Sequence, residues 1–246
     1  MDFFFHAGRY FQLMVQVLKR PENPSIYYRQ IIVEMDYLGI QSLGIVSIIS
    51  VFMGAVLTIQ TAFNTEHPML PIYAIGFATR QAIILEFAPT IVSLILAGKV
   101  GSRIASEIGT MRVTEQIDAL EIMGINSAGY LILPKTIALV IINPVLIVIS
   151  MFLGILGGYL VSAITHVMPV GHYIYGVLFD FSPFDIYYAL IKTVVFAVII
   201  ATVSGYYGYY TRGGALEVGQ ASTKAVVMSS IFIILFNLIL TQLLLA

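Results

Sequence analysis

The residues able to do chemistry in this sequence fall into three groups. Glu86 and Lys192 are ionisable groups inside long apolar stretches. A charge at membrane depth costs roughly 3 kcal/mol on insertion scales, so such a residue faces a protein interior and takes a partner. Either the two pair and fix helix packing, or Lys192 meets an anionic lipid headgroup. The second group lies in the most polar segment, 98–135, and comprises Glu107, Thr110, Arg112, Glu115, Gln116, Asp118 and Glu121. Among them Val113, Ile117, Leu120 and Gly124 step by four, three and four, the spacing of one narrow helix face. A short helix is therefore expected over 109–123, with Gly109-Thr110 at its start and Gly124 at its stop. Such a helix, bearing both charge signs, inserts into the cleft of a peripheral partner or serves as a solvated connector. The third group is Leu57, Gln60, Thr61 and Asn64, which share one helix face mixing apolar and polar groups. That face suits a lipid with tails and a headgroup, and equally a contact between membrane helices.

Enzymatic chemistry finds little support. His6, His67, His166 and His172 are scattered, and there is no cysteine. Neither a metal cluster nor a nucleophile with a nearby base is visible, so no catalytic residue, metal or cofactor is expected. A phosphate-binding G-x-x-x-x-G-K-[ST] loop is missing too. Gly98-Lys99 is followed by Val100 and lacks a glycine five residues earlier. If ATP drives this protein, another chain binds it.

The elements that must position these groups are membrane helices. Of the 246 residues 59% are hydrophobic and only 10% charged, against roughly 25% charged in soluble domains. That excludes a soluble enzyme, a disordered chain and, with a net charge of −1, a nucleic-acid binder. Uncharged runs far longer than the ten-residue strands of outer-membrane barrels point to an all-α integral membrane protein. Five spans are expected, over 37–65, 69–98, 136–165, 186–210 and 225–246, with Asn64, Glu66, His67 and Pro68 in an exit loop and 166–185 in a second one. Within the third span Gly154 and Gly158 have the spacing of a close helix contact. Ahead of the spans, residues 1–20 place His6, Arg9, Gln12, Gln16 and Lys19 on one face and a broad apolar surface on the rest. This pattern describes a helix lying in the membrane interface, ended by Pro21 and Pro24. The whole chain, 1–246, reads as one domain.

Orientation follows from the basic residues. Ten of the twelve Lys and Arg fall on one side, at Arg9, Lys19, Arg20, Arg29, Lys99, Arg103, Arg112, Lys135, Arg212 and Lys224. The positive-inside rule places that side, with the N-terminus, in the cytoplasm and the C-terminus outside.

The segment EIGTMRVTEQIDALEIMGI at 107–125, followed by Tyr130-Leu131 and Leu133-Pro134-Lys135, resembles the signature of MlaE (YrbE-type) permeases. The resemblance extends upstream through Leu85-Glu86-Phe87-Ala88-Pro89 and 97–102, and downstream through 190–196 and 212–219. It implies the membrane subunit of an ABC transporter that works with Mce-domain proteins. A homodimer in the bacterial inner membrane would bind two cytoplasmic ATPase subunits, with a periplasmic Mce hexamer on the outer face. The implied cargo is phospholipid, moved between inner and outer membranes to maintain outer-membrane lipid asymmetry. Residues 109–123 would be the coupling helix, and the end of the first span, with Leu57, Gln60, Thr61 and Asn64, the start of the lipid pocket. Glu86 and Lys192 align with charged family positions. Family members often carry Arg immediately before this Glu, where this chain has Leu85.

Two other classes compete. An ion-gradient-driven secondary transporter of a lipid or other amphiphile would show an internal repeat and broken helices, and five spans give no obvious two-fold repeat. An intramembrane enzyme would need clustered catalytic groups at membrane depth, where the spans offer only Glu86, Lys192 and dispersed hydroxyls.

Overall fold

Every long apolar segment among the described residues forms a helix, because backbone N–H and C=O groups in a bilayer find partners only within the segment. A computed structural model describes residues 2–19, 24–64, 71–165 and 168–245. Helix α1 is Asp2–Val17, and α2 runs through Pro24–Glu34, Met35–Ile40 and Gln41–Asn64. Helix α3 is Tyr73–Val113, α4 Gln116–Ile122, α5 Ser127–Thr165, α6 Val170–Leu178, α7 Pro183–Tyr209 and α8 Ala215–Leu245. Among the described residues there is no strand, and five helices, α2, α3, α5, α7 and α8, are long and apolar enough to cross a membrane. The all-α fold with five spans is thus the one expected.

The helices overrun the expected spans, chiefly at the basic end. Helix α3 continues to Val113 rather than 98, α5 begins at Ser127 rather than 136, and α8 begins at Ala215 rather than 225. Hydropathy marks only the part of a helix that crosses lipid; in α3 and α8 good helix formers such as Lys, Arg, Glu and Gln carry the helix on, whereas the start of α5 is largely buried in the protein. At 39 residues, α5 is about 58 Å long, nearly twice the hydrocarbon thickness. The exit loop expected around Glu66, His67 and Pro68 lies outside the described residues, as does Pro21. Pro24 is the first residue of α2 rather than a terminator of α1, a position where its missing N–H costs nothing. The segment expected as a second external loop contains α6, seated by its buried Tyr173, whose hydroxyl donates to the Ile155 carbonyl at 3.0 Å.

Helices α2 and α5 make the closest packing in the bundle. A Cβ on Gly54 would lie 1.8 Å from the Gly154 carbonyl oxygen, and one on Gly157 2.1 Å from that of Val51. Ser50 donates to Ser150 across the same contact at 2.7 Å. Small residues let these backbones touch, which is how helices gain packing energy in lipid.

The basic end is tied by charge and aromatic rings. Lys135, buried, lies 2.5 Å from Glu34 and 2.9 Å from Glu107. Lys99 donates to the Gln41 carbonyl, and Arg103 to the Gln41 side chain at 3.0 Å. Helix α1 packs through buried Leu13 and Val17, while Phe5, Phe11 and Leu18 remain exposed, as an interfacial helix requires. Its His6 bonds the Tyr206 hydroxyl and Tyr10 donates to Thr202, both at 2.7 Å.

Candidate functional site

Helix α3 changes register where it carries Glu86. Residues Ile83–Ile91 are wound as a π-helix with Pro89 inside it. Proline has no N–H to offer the Leu85 carbonyl four residues earlier, and the wider turn accommodates that loss. Lys192 Nζ, from α7, donates to the Leu85 carbonyl at 3.3 Å and to Glu86 Oε1 at 2.8 Å. The ammonium also lies 4.4 Å from the Tyr188 ring centroid, a cation–π contact one turn away on the same helix. So the two membrane-depth charges do pair.

Helix α8 completes the site. Asn237 Nδ2 donates to Glu86 Oε2 at 3.0 Å, and Thr241 reaches Oε1 at 3.5 Å. Thr90 Oγ1 lies 3.2 Å from Glu86 Oε2 and 3.1 Å from Asn237 Oδ1, so its single proton serves one of them at a time. Tyr188 and Thr241 share a hydrogen bond at 2.9 Å. Three helices therefore converge on one carboxylate. Lys192 is fully enclosed and the Glu86 side chain 48% exposed, so the network presents a polar face on an apolar surface. Among the described residues there is no group of three potential metal ligands.

Asn237, Thr90, Thr241 and Tyr188 are absent from the sequence-derived set. One signal points to two of them: Asn237 and Thr241 stand four apart in an uncharged span, hence on one helix face. Leu57, Gln60, Thr61 and Asn64 lie near the far end of α2, with Gln60 and Asn64 exposed; the bonds that hold Glu86 come instead from α3, α7 and α8. Arg80 does not replace the arginine missing before Glu86. It is buried and donates to the carbonyls of Val177, Phe179 and Asp180 at 2.8, 2.8 and 3.1 Å. Those acceptors end α6, so Arg80 caps a helix C-terminus.

At the basic end the loop helix is shorter than expected. Gly109 is no helix start: it lies buried in the last turns of α3, with Thr211 and Val218 3.3 Å from its Cβ position. The break comes at Glu115, whose φ of 60° is left-handed, and α4 follows from Gln116 to Ile122. Gly124, at φ 79°, stops it as expected, with Ile125 N–H bonding the Leu120 carbonyl at 3.0 Å, the closing bond of a Schellman turn. Ile117 anchors the expected apolar face in the core. Arg112 pairs with Asp118 at 2.7 Å, Glu121 accepts from Ser127 and Tyr209 at 2.9 Å each, and Glu107 is held by Lys135. Glu115 and Gln116 point outward with Thr110.

Residues 31–243 match the family described as Permease MlaE. The chain is 38% identical to a "Probable ABC transporter permease protein" of Rickettsia bellii over 226 residues, covering 90% of this chain and 85% of that one. A "Probable ABC transporter permease protein" of Synechocystis is 35% identical, covering 95% and 88%. "Protein TRIGALACTOSYLDIACYLGLYCEROL 1, chloroplastic" of Arabidopsis thaliana is 34% identical, covering 92% of this chain and 65% of that protein. With five apolar helices and a match along nearly its whole length, the chain is an ABC-transporter permease subunit of the MlaE family.

Proposed function

We propose that this chain forms the lipid path of an ATP-driven phospholipid transporter that moves lipid between inner and outer membranes and maintains outer-membrane asymmetry. The observation that carries this reading is the Glu86 site. Lys192 is enclosed and compensated, while the half-exposed carboxylate and Asn237 offer a polar foothold inside an apolar surface. A phospholipid, with both polar headgroup and tails, matches such a surface. A relative named for trigalactosyldiacylglycerol supports lipid as the cargo class.

In this reading two copies of the chain sit in the inner membrane with the N-terminus and basic end in the cytoplasm. Two ATPase subunits bind there and a periplasmic Mce-domain hexamer covers the other face. Helix α4 couples ATP hydrolysis to the bundle. Its exposed tip carries Ile122 at 87% and Met123 at 64% exposure, apolar groups suited to an ATPase cleft. The ATP is bound by that partner, and this chain needs no cofactor. Gln60 and Asn64 would meet lipid at the periplasmic end.

Affinity purification of the tagged chain in mild detergent, with mass spectrometry of co-eluting proteins and lipids, tests the whole reading. An ATPase, an Mce-domain protein and enriched phospholipid are expected together. Charge reversal at Arg112 and Glu115 should release the ATPase alone. A chain that elutes without an ATPase and transports on an ion gradient in proteoliposomes overturns the proposal.

A further inference from the structure

A cavity runs along the bundle toward its basic end. Helix α1 lies against α5 and α7, and the cavity of about 640 Å³ between α1, α7 and α8 is lined in part by Tyr10, Phe11, Val194, Val198, Met228 and Phe236. The lining follows α7 from Val194 to Tyr207, about 20 Å at 1.5 Å per residue. Half the hydrocarbon thickness of a bilayer is about 15 Å, so the groove has the length of an acyl chain within one leaflet. Phe11, Val194, Val198 and Phe236 are exposed, leaving its side open toward lipid. The bonds from His6 to Tyr206 and from Tyr10 to Thr202 brace α1 in place over it.

The groove joins a polar mouth. A smaller cavity of about 240 Å³ shares His6, Tyr206 and Tyr207 with it and adds Arg9, Arg212 and Lys224. Among the described residues none of these three cations is within 4.0 Å of a carboxylate. Glu217 also lines the mouth, but its carboxylate accepts the Gly214 N–H at 2.8 Å and so caps the start of α8. The Arg9 guanidinium lies over the Tyr210 ring, 3.8 Å from its centroid. The mouth is therefore cationic and aromatic, the character of a helix bundle at an anionic headgroup layer.

One kind of molecule satisfies both halves. Inorganic phosphate would fill the mouth and leave the groove empty, and a peptide would strand unpaired amides against its apolar wall. We propose that the groove between α1, α7 and α8 binds one anionic phospholipid of the leaflet at the basic end. Its acyl chain lies against Val198 and Phe236 and its phosphate between Arg212 and Lys224. The groove shares no lining residue with the Glu86 network and stands whether or not Lys192 meets cargo.

The test uses the chain assembled with its ATPase in phosphatidylcholine nanodiscs. Phosphatidylglycerol carrying a diazirine in its tail is added, irradiated, and the labelled peptides are mapped. Label is expected within 194–207 and 228–236, and about fivefold less for each of Arg212→Gln and Lys224→Gln, the order set by one basic residue against anionic lipid. Val198→Trp, which fills the groove and leaves the charges, should also remove the label. If that variant does not fold, the two surface variants decide alone. Equal labelling by a phosphatidylcholine analogue, or label unchanged when both cations are removed, overturns the proposal. Label that appears only on the chain stripped of its ATPase also overturns it, because the mouth then belongs to a protein interface.

Discussion

Lys192 Nζ lies 2.8 Å from Glu86 Oε1, yet the lysine is wholly enclosed and the glutamate side chain is 48% exposed. The pair is therefore lopsided: the cation is committed to the protein, while the anion faces both the protein and whatever lies beside it. Lys192→Met should destabilise the bundle by less than the roughly 3–5 kcal/mol of a fully buried pair, because the Glu86 carboxylate left without its partner is half exposed and keeps Asn237. Adding Glu86→Gln should recover most of that loss. Unfolding of the purified chain in detergent measures both. Lipid release or uptake by the double variant then separates roles: normal transport would leave the pair a packing device only.

Lys135 holds two carboxylates, Glu34 at 2.5 Å and Glu107 at 2.9 Å, from a buried position. Lys135→Met should cost about 3 kcal/mol, since Glu34 and Glu107 then repel without compensation. Glu107→Gln should cost less than about 1 kcal/mol, because Glu107 is half exposed and Glu34 keeps the lysine paired. Chemical unfolding of both variants distinguishes these values.

Packing of α2 on α5 sets a steric prediction. Gly54→Ala places a methyl group 1.8 Å from the Gly154 carbonyl, so the helices must part. The variant should lose monodisperse elution from size exclusion. Gly44→Ala, on the same helix with no atom within 4 Å, should be neutral or slightly stabilising.

Burial pushes the Tyr173 hydroxyl up to about 12 from an ordinary 10.0. A raised pKa means that the folded state keeps its proton where the unfolded state has lost it. Stability is unaffected below pH 10 and falls as pH rises from about 10 to 12. Tyr173→Phe should remove that part of the alkaline loss, read as a flatter profile of melting temperature against pH.

The sequence by itself determined the membrane bundle. Segments without charge over 136–165 and 225–246 leave their backbones no partner in lipid except the helix itself, so span number and helix type follow from hydropathy. It also determined that Glu86 and Lys192 need partners, because an unpaired charge at that depth is too costly. Tertiary structure decided who the other partners are. Asn237 and Thr241 read as one polar face of an apolar span, but only the packing of α8 turns that face toward Glu86. Lys135 reads as one more cytoplasmic cation, whereas the approach of α2 to the end of α3 encloses it between two carboxylates. Gly109 reads as the start of a helix, because glycine favours helix ends. It lies inside α3 because its missing side chain lets the start of α8 come close, and the break moves to the left-handed Glu115. Local pattern determines what a single segment does, while side-chain partners across helices depend on rotations and crossings that no single segment encodes.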